Sequence, residues 1–358
     1  MAAIEIPNGG HAANEILSGM FEMFRLEGFP KNNASAMIVQ YIGVLRWGIN
    51  LGNIIEQAYR PEPTPSGSRY GKVLAASALV ALAAIVAAWL FVPGPLERGG
   101  KALIAKDYPT ALKLLTPLAQ RNYAPAQFGL GYLYENGFGV EKNLPLAFDL
   151  YQKAAEQNHS AAQMLLGNMY FSGIGAPQND SLAVDWYRKA GISGRADAQH
   201  NLGYMYYLGR GVEKNAALAA FWYEKAAKQG KPESQCNLGK LYQDGEGVPQ
   251  DDVIALKWFQ MAADQGTAYA QNMLGYIHLL GRGIPKDPLL AKKWFELAAA
   301  QDYAESQRLL GTFYFNGIGV EKNYSRAAEW YQKAAKNGDG EAQRLLDVMQ
   351  AAGLLSKT

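Results

Sequence analysis

The chain has 358 residues, with 34 lysines and arginines against 32 aspartates and glutamates for a net charge of +2. That length holds two or three domains, and the balance of charge lacks both the basic surplus of a nucleic-acid binder and an acidic tail. Cys236 is the single cysteine, which excludes an intramolecular disulfide and every multi-cysteine zinc site, and His11, His159, His200 and His278 leave little for a histidine-rich centre.

In chain order, residues 1–60 are predicted to form a small helical region. Ile16, Leu17, Met20, Phe21 and Phe24 make one apolar stripe at helical spacing, and Ile38, Ile42, Leu45 and Ile49 make a second. A membrane crossing at 36–55 would carry Arg46 at mid-segment, at ~2.5–3.5 kcal/mol, with Gln40, Asn50 and Asn53 adding to it. So short a region buries too little surface alone, so a partner, self-association through 1–92 or the membrane surface is expected to cover it. Residues 61–72 have the composition of a linker.

From Val73 to Val92 the sequence reads VLAASALVALAAIVAAWLFV, 20 residues without a charge. At ~1.5 Å per residue this reaches about 30 Å, the thickness of a bilayer's hydrocarbon core. One transmembrane helix is expected at 73–92. The start, MAAIEIPNGG, lacks the basic, apolar opening of a cleavable secretory signal, so the span reads as an uncleaved signal-anchor. Arg60, Arg69 and Lys72 before it nearly balance Arg98, Lys101 and Lys106 after it. The expected placement is a bacterial inner membrane, N-terminus in the cytoplasm and the remainder in the periplasm.

After the span the sequence repeats. Gly131, Gly167, Gly203, Gly239, Gly275 and Gly311 stand 36 residues apart, each after a leucine, and each is followed by a Gly-x-Gly such as Gly137 and Gly139. Alanine recurs from Ala147 to Ala327, and tryptophan at 186, 222, 258, 294 and 330, with Leu150 in the first copy. Such periodicity predicts a helical-hairpin solenoid in which no hairpin buries its apolar faces alone. Helix A carries the leucine and stops at Gly-x-Gly. Asn143, Asn179, Asn215, Asp251, Asp287 and Asn323 are expected to cap helix B. Helix B presents small alanines for close approach and a large indole to fill the space between neighbouring hairpins.

The pattern LGxxYxxGxGVxxNxxxAxxWYxKAAxxG resembles the Sel-one-like repeat family, a relative of tetratricopeptide repeats, over six copies at 124–339. Residues 97–123 resemble a tetratricopeptide-like hairpin without the Gly-x-Gly loop, and 340–358 a capping helix and tail. The resemblance implies an all-α, right-handed solenoid that scaffolds protein complexes without catalysis, often at membranes. Members linked to penicillin binding carry a cysteine pair in each repeat, and those pairs are absent here.

The glutamine of helix A (Gln127, Gln163, Gln199, Gln235, Gln271, Gln307, Gln343) recurs in every copy and reads as a buried residue bonding a neighbouring backbone, with a peptide-contacting ladder as the rival. His278 replaces a tyrosine and reads as packing. His200 and Cys236 share a column in adjacent copies but lack a third member for a metal site or a nucleophile. No catalytic residue, metal or cofactor is expected.

Three helix-A columns vary: the positions three before, one after and four after the glycine, which lie within about 60° of one another at ~100° per residue. Helix A is expected to line the concave surface, so these columns form a mixed aromatic and polar strip. Phe171, Tyr204, Tyr207, Lys240, Tyr276 and Phe315 are the candidate partner-binding residues. The function read from the sequence is a membrane-anchored scaffold or adaptor that binds other proteins or peptides, not nucleic acid. The rivals are a hydrolase acting on cell-wall-related substrates, for which no column supplies an acid, base or nucleophile, and a spacer oligomerised through its membrane segment.

Overall fold

The computed structural model describes residues 94–355. The expected helical region at 1–60, the linker and the membrane helix at 73–92 lie outside the described residues. No helix among the described residues is long and apolar enough to cross a membrane.

Fifteen α-helices and no strand occur among the described residues. An opening hairpin pairs α1 (Pro95–Ile104) with α2 (Tyr108–Gln120). Six hairpins follow: α3 (Ala124–Asn136) with α4 (Leu144–Glu156), α5 (Ser160–Ser172) with α6 (Asp180–Ile192), α7 (Ala196–Leu208) with α8 (Ala216–Lys228), α9 (Pro232–Asp244) with α10 (Asp252–Asp264), α11 (Ala268–Leu280) with α12 (Pro288–Ala299), and α13 (Ala304–Asn316) with α14 (Tyr324–Lys336). α15 (Gly340–Ala351) closes the series. Each helix packs on the one before and the one after it, which makes a repeat solenoid of nearest-neighbour contacts.

Local chemistry sets each turn. Helix A ends where Gly209 takes φ 72°, a left-handed conformation that glycine adopts without a Cβ clash. Two residues on, Gly211 passes so close to the preceding helix B that a Cβ would stand 2.3 Å from the Asp180 carbonyl oxygen. Helix B then starts on its cap: the Asn215 side chain accepts from the Leu218 N–H at 2.9 Å, and Asn143, Asn179, Asp251, Asp287 and Asn323 do the same.

The repeating glycine of helix A answers to an aromatic ring. A Cβ on Gly203 would lie 2.7 Å from the Tyr223 ring, and Gly131, Gly167, Gly239, Gly275 and Gly311 meet Tyr151, Tyr187, Phe259, Phe295 and Tyr331 in the same way. Those rings are at most 2% exposed and form the centre of each hairpin. The indole stands one residue earlier, between neighbouring hairpins as expected. Trp186, Trp222, Trp258, Trp294 and Trp330 are half-buried, because a ~100° step along helix B turns them away from the hairpin axis toward the preceding repeat.

The glutamine column is a polar seam between hairpins. Gln127, Gln163, Gln199, Gln235, Gln271 and Gln307 are nearly inaccessible, and each Nε2 donates to the carbonyl eight residues earlier, on the last turn of the preceding helix B. Their Oε1 atoms accept from Gln157, Gln229, Gln265, Gln301 and Asn337, thirty residues on. Gln163 breaks the pattern: Ser193 holds the donor position, its hydroxyl turns to the Lys189 carbonyl, and Gln163 Oε1 is left buried without a partner. Gln343, on the closing helix, is exposed and bonds Asp347 instead.

Candidate functional site

The three variable columns of helix A differ in exposure, and that divides them by role. The first, three residues before the glycine, is a second seam between repeats. His200 Nδ1 lies 2.8 Å from Ser234 Oγ of the next helix A, and Asn272 Oδ1 accepts from Ser306 Oγ at 2.8 Å. Arg308 reaches forward as well, donating from Nε to Asp339 at 2.9 Å. Where the column is Phe128 or Cys236, the next repeat carries Ala162 or Ala270 in the same core cluster. Cys236 and Asn272 are buried. This column therefore closes the stack, and the expectation that it lies free beside the other two is corrected.

The structure pairs His200 Nδ1 with Ser234 Oγ, not with the Cys236 thiol considered from the sequence. Burial, reinforced by the Lys231 charge, lowers the His200 pKa below its ordinary value. Burial pushes the Cys236 thiol up to about 12, so it stays protonated at neutral pH and is no nucleophile. Among the described residues no three His, Cys, Asp or Glu side chains converge as metal ligands.

The second column, one residue after the glycine, is open at Tyr132, Tyr204 and Lys240 and half-buried at Asn168, Tyr276 and Thr312. Tyr132 and Tyr204 are each 40% exposed, and exposed Lys240 pairs with Asp244 one turn on at 2.9 Å. The third column is half-buried. The Arg210 guanidinium sits 4.3 Å from the Phe171 ring centroid and is held by both oxygens of Asp180, at 2.9 and 2.8 Å. Lys214 Nζ stands 5.5 Å from the Tyr207 ring. Phe315 packs on Tyr324 and on the core beneath α15. Tyr276 belongs to the second column but donates its hydroxyl to Glu305 at 2.9 Å, and burial together with that carboxylate pushes its phenol up to about 12.

Of the six candidates, Phe171 and Tyr204 are brought to one concavity of about 410 Å³ between α5 and α7, shared with Asn168, His200 and Asn201. Its floor is polar and ordered: Asn168 Oδ1 accepts from the Tyr187 hydroxyl at 2.8 Å and from Asn201 Nδ2 at 3.2 Å. The ring of Tyr187 thus fills the hairpin core while its hydroxyl surfaces on helix A. Sequence reading placed Asn168 on the variable face but missed its pairing with Asn201 and the Arg210–Asp180 clamp, because each pairing crosses from one repeat to the next. The available signal was slight: two asparagines 33 residues apart, in columns that elsewhere hold Lys240 and Thr312 or a second asparagine, Asn237.

Hairpins stacked through alanine, buried rings and glutamine seams, with helix A offering an ordered aromatic surface, define an all-α helical-hairpin repeat protein. Sel1 repeats match at residues 124–159, 160–194, 196–231, 232–267, 268–303 and 304–339, more than half of the chain, and the chain belongs to the Sel1 repeat family. Among solved structures it is similar to c5321, a protective antigen of uropathogenic Escherichia coli displaying an SLR fold, with 36% identity over 68% of this chain and a TM-score of 0.65. A Sel1 repeat protein from Oxalobacter formigenes is 34% identical over 68% of this chain and 97% of its own, with a TM-score of 0.61. The chain spans about half the length of c5321, covering 52% of it. No curated relative matches it.

Proposed function

We propose that the chain is a non-catalytic scaffold that binds other proteins through helix A of its repeats and is held to a membrane by residues 73–92. The observation that carries the binding role is the concavity between α5 and α7. There Tyr204 and Phe171 stand over a floor whose polar atoms are already paired. Such a surface presents anchors without the expense of ordering them, and tyrosine combines an apolar ring with a hydroxyl at small rotamer cost. Tyr132 and Tyr204 are each 40% exposed, whereas Asn168 and Tyr276 of the same column are tied into the stack.

The membrane role is supported by the uncharged run at 73–92, with a cytoplasmic N-terminus and periplasmic repeats as the topology it implies in a bacterial inner membrane. Reporter fusions after Pro61 and after Arg121 should report opposite sides; identical signals would remove the single crossing. The binding role is tested by crosslinking in native membranes with parent and Tyr204→Ala/Tyr207→Ala chains. Loss of captured proteins in the variant supports the strip, and an unchanged set sinks it.

A further inference from the structure

Helix α4 departs from the other B helices at one column. Leu150 stands where they carry Trp186, Trp222, Trp258, Trp294 and Trp330. In the later copies the indole enters the junction between its own hairpin and the preceding one. Trp186 packs in the cluster of Ala155, Leu166 and Tyr170, and Trp222 brings Cζ3 within 3.4 Å of the Cβ position of Gly191. Moving back one repeat of 36 residues turns Ala155, Leu166 and Tyr170 into Ala119, Leu130 and Tyr134. Those three, with Leu146 and Leu150, line an open concavity of about 370 Å³ among α2, α3 and α4. It is the indole slot of the first repeat, with leucine in place of the indole.

A feature of two of the five filled slots is retained as well. Lys189 Nζ lies 3.8 Å from the Trp186 ring centroid, and Lys333 Nζ lies 4.3 Å from that of Trp330. Lys153 holds the same column and lines the slot. A cation over a ring face favours an electron-rich aromatic over an aliphatic group of equal area. Thr116 and Gln120, one helical turn apart on α2, edge the same concavity and offer hydrogen-bonding groups to a main chain lying across it.

We propose that this slot is a docking site for a tryptophan side chain carried by a partner polypeptide. The slot continues the inter-hairpin interface that five of the chain's own indoles occupy, and its lysine holds the column that covers two of them, Trp186 and Trp330. It lies apart from the strip on α5 and α7 and does not depend on that strip binding anything.

The test uses the full chain and saturation-transfer NMR. N-acetyl-L-tryptophanamide should bind saturably, on the order of 0.1–1 mM for a ligand of its size. A Gly-Gly-Trp-Gly-Gly peptide should bind more tightly, and the cyclohexylalanine analogue of the amide more weakly. Leu150→Trp, which fills the slot from within, should weaken binding at least tenfold while keeping helicity. Lys153→Met, which keeps the alkyl stem, should weaken it about 2–5-fold. Absence of saturation transfer, or equal affinity in Leu150→Trp, overturns the site. Free indole binding as tightly as the peptide overturns the polypeptide assignment. Should Leu150→Trp lose helicity, unchanged affinity in Lys153→Met overturns the lysine-capped slot, and weakened affinity upholds it.

Discussion

At the scale of single residues, stability rests on which side chain meets which glycine. Tyr223 is 1% exposed and its ring lies against Gly203, whereas Trp222 beside it is half-buried. Tyr223→Ala should therefore cost about 3–5 kcal/mol, and Trp222→Ala roughly 2 kcal/mol, in urea unfolding followed by circular dichroism. A larger loss at Trp222 than at Tyr223 would reverse the assignment. The orphaned Gln163 Oε1 permits a gain of function in the same assay. Ser193→Gln places there the donor that Gln157, Gln229 and Gln265 supply in other copies, and should stabilise by about 1 kcal/mol. No change would mean that the orphan is satisfied by solvent. The columns themselves were legible in the sequence, because glycine, glutamine and alanine at a fixed interval need only counting. Which of two adjacent aromatics enters the hairpin was not, since Trp222 and Tyr223 differ by one ~100° step and both are large enough to serve.

At the scale of elements, neighbouring A helices are matched side chain to side chain. His200 takes Ser234 and Asn272 takes Ser306, while Cys236 takes Ala270. A single repeat shows His200 and Asn272 as unconstrained polar positions, and this is why they read as a binding strip; the constraint appears only when the next copy is stacked on. The helix caps were legible because Asn and Asp act within three residues of themselves. His159 performs that task for α5, its Nδ1 accepting from the Ala162 N–H at 3.2 Å, an acceptor that protonation removes. Burial, with help from the Arg195 charge, lowers its pKa below the ordinary 6.5, and burial lowers His200 and His278 likewise. A folded-state pKa below the unfolded one means that the unfolded chain binds more protons, so stability rises with pH across that window. The contribution is complete above pH 6.5 and declines as pH falls below it toward the folded-state values. Melting of the repeat region should thus weaken between pH 7.5 and 5, and His159→Asn, which keeps a cap without a proton, should flatten part of that slope. A slope untouched by the substitution would place the titration elsewhere.

At the scale of the whole molecule, every core cluster among the described residues is built from one or two successive hairpins. Stability then accumulates repeat by repeat, and what a terminal copy lacks must come from a cap. α15 supplies this at the C-terminal end: Asp339 caps it, pairs with Arg308 at 2.9 Å, and Ala342, Leu346 and Met349 cover the exposed side of Ala327 and Tyr331. Residues 97–358 alone should accordingly form a soluble, strongly helical monomer, measured by circular dichroism and sedimentation, whereas removal of 340–358 should lower the melting temperature and promote association. On that isolated array the binding strip can be separated from the fold. Tyr204 is 40% exposed, while Tyr207 is half-buried beside Lys214 and packs on the edge of the core around Tyr223 and Leu238, so replacing both with alanine removes mainly surface at the first and a core-edge contact at the second. Helicity should be retained and melting nearly so, while capture of membrane proteins weakens by ~2 kcal/mol or more for each true anchor. An unfolded double variant would make these tyrosines structural and move the binding surface elsewhere. A folded variant that captures everything the parent captures would leave the array a spacer, with Tyr204 and Tyr207 facing solvent to no effect.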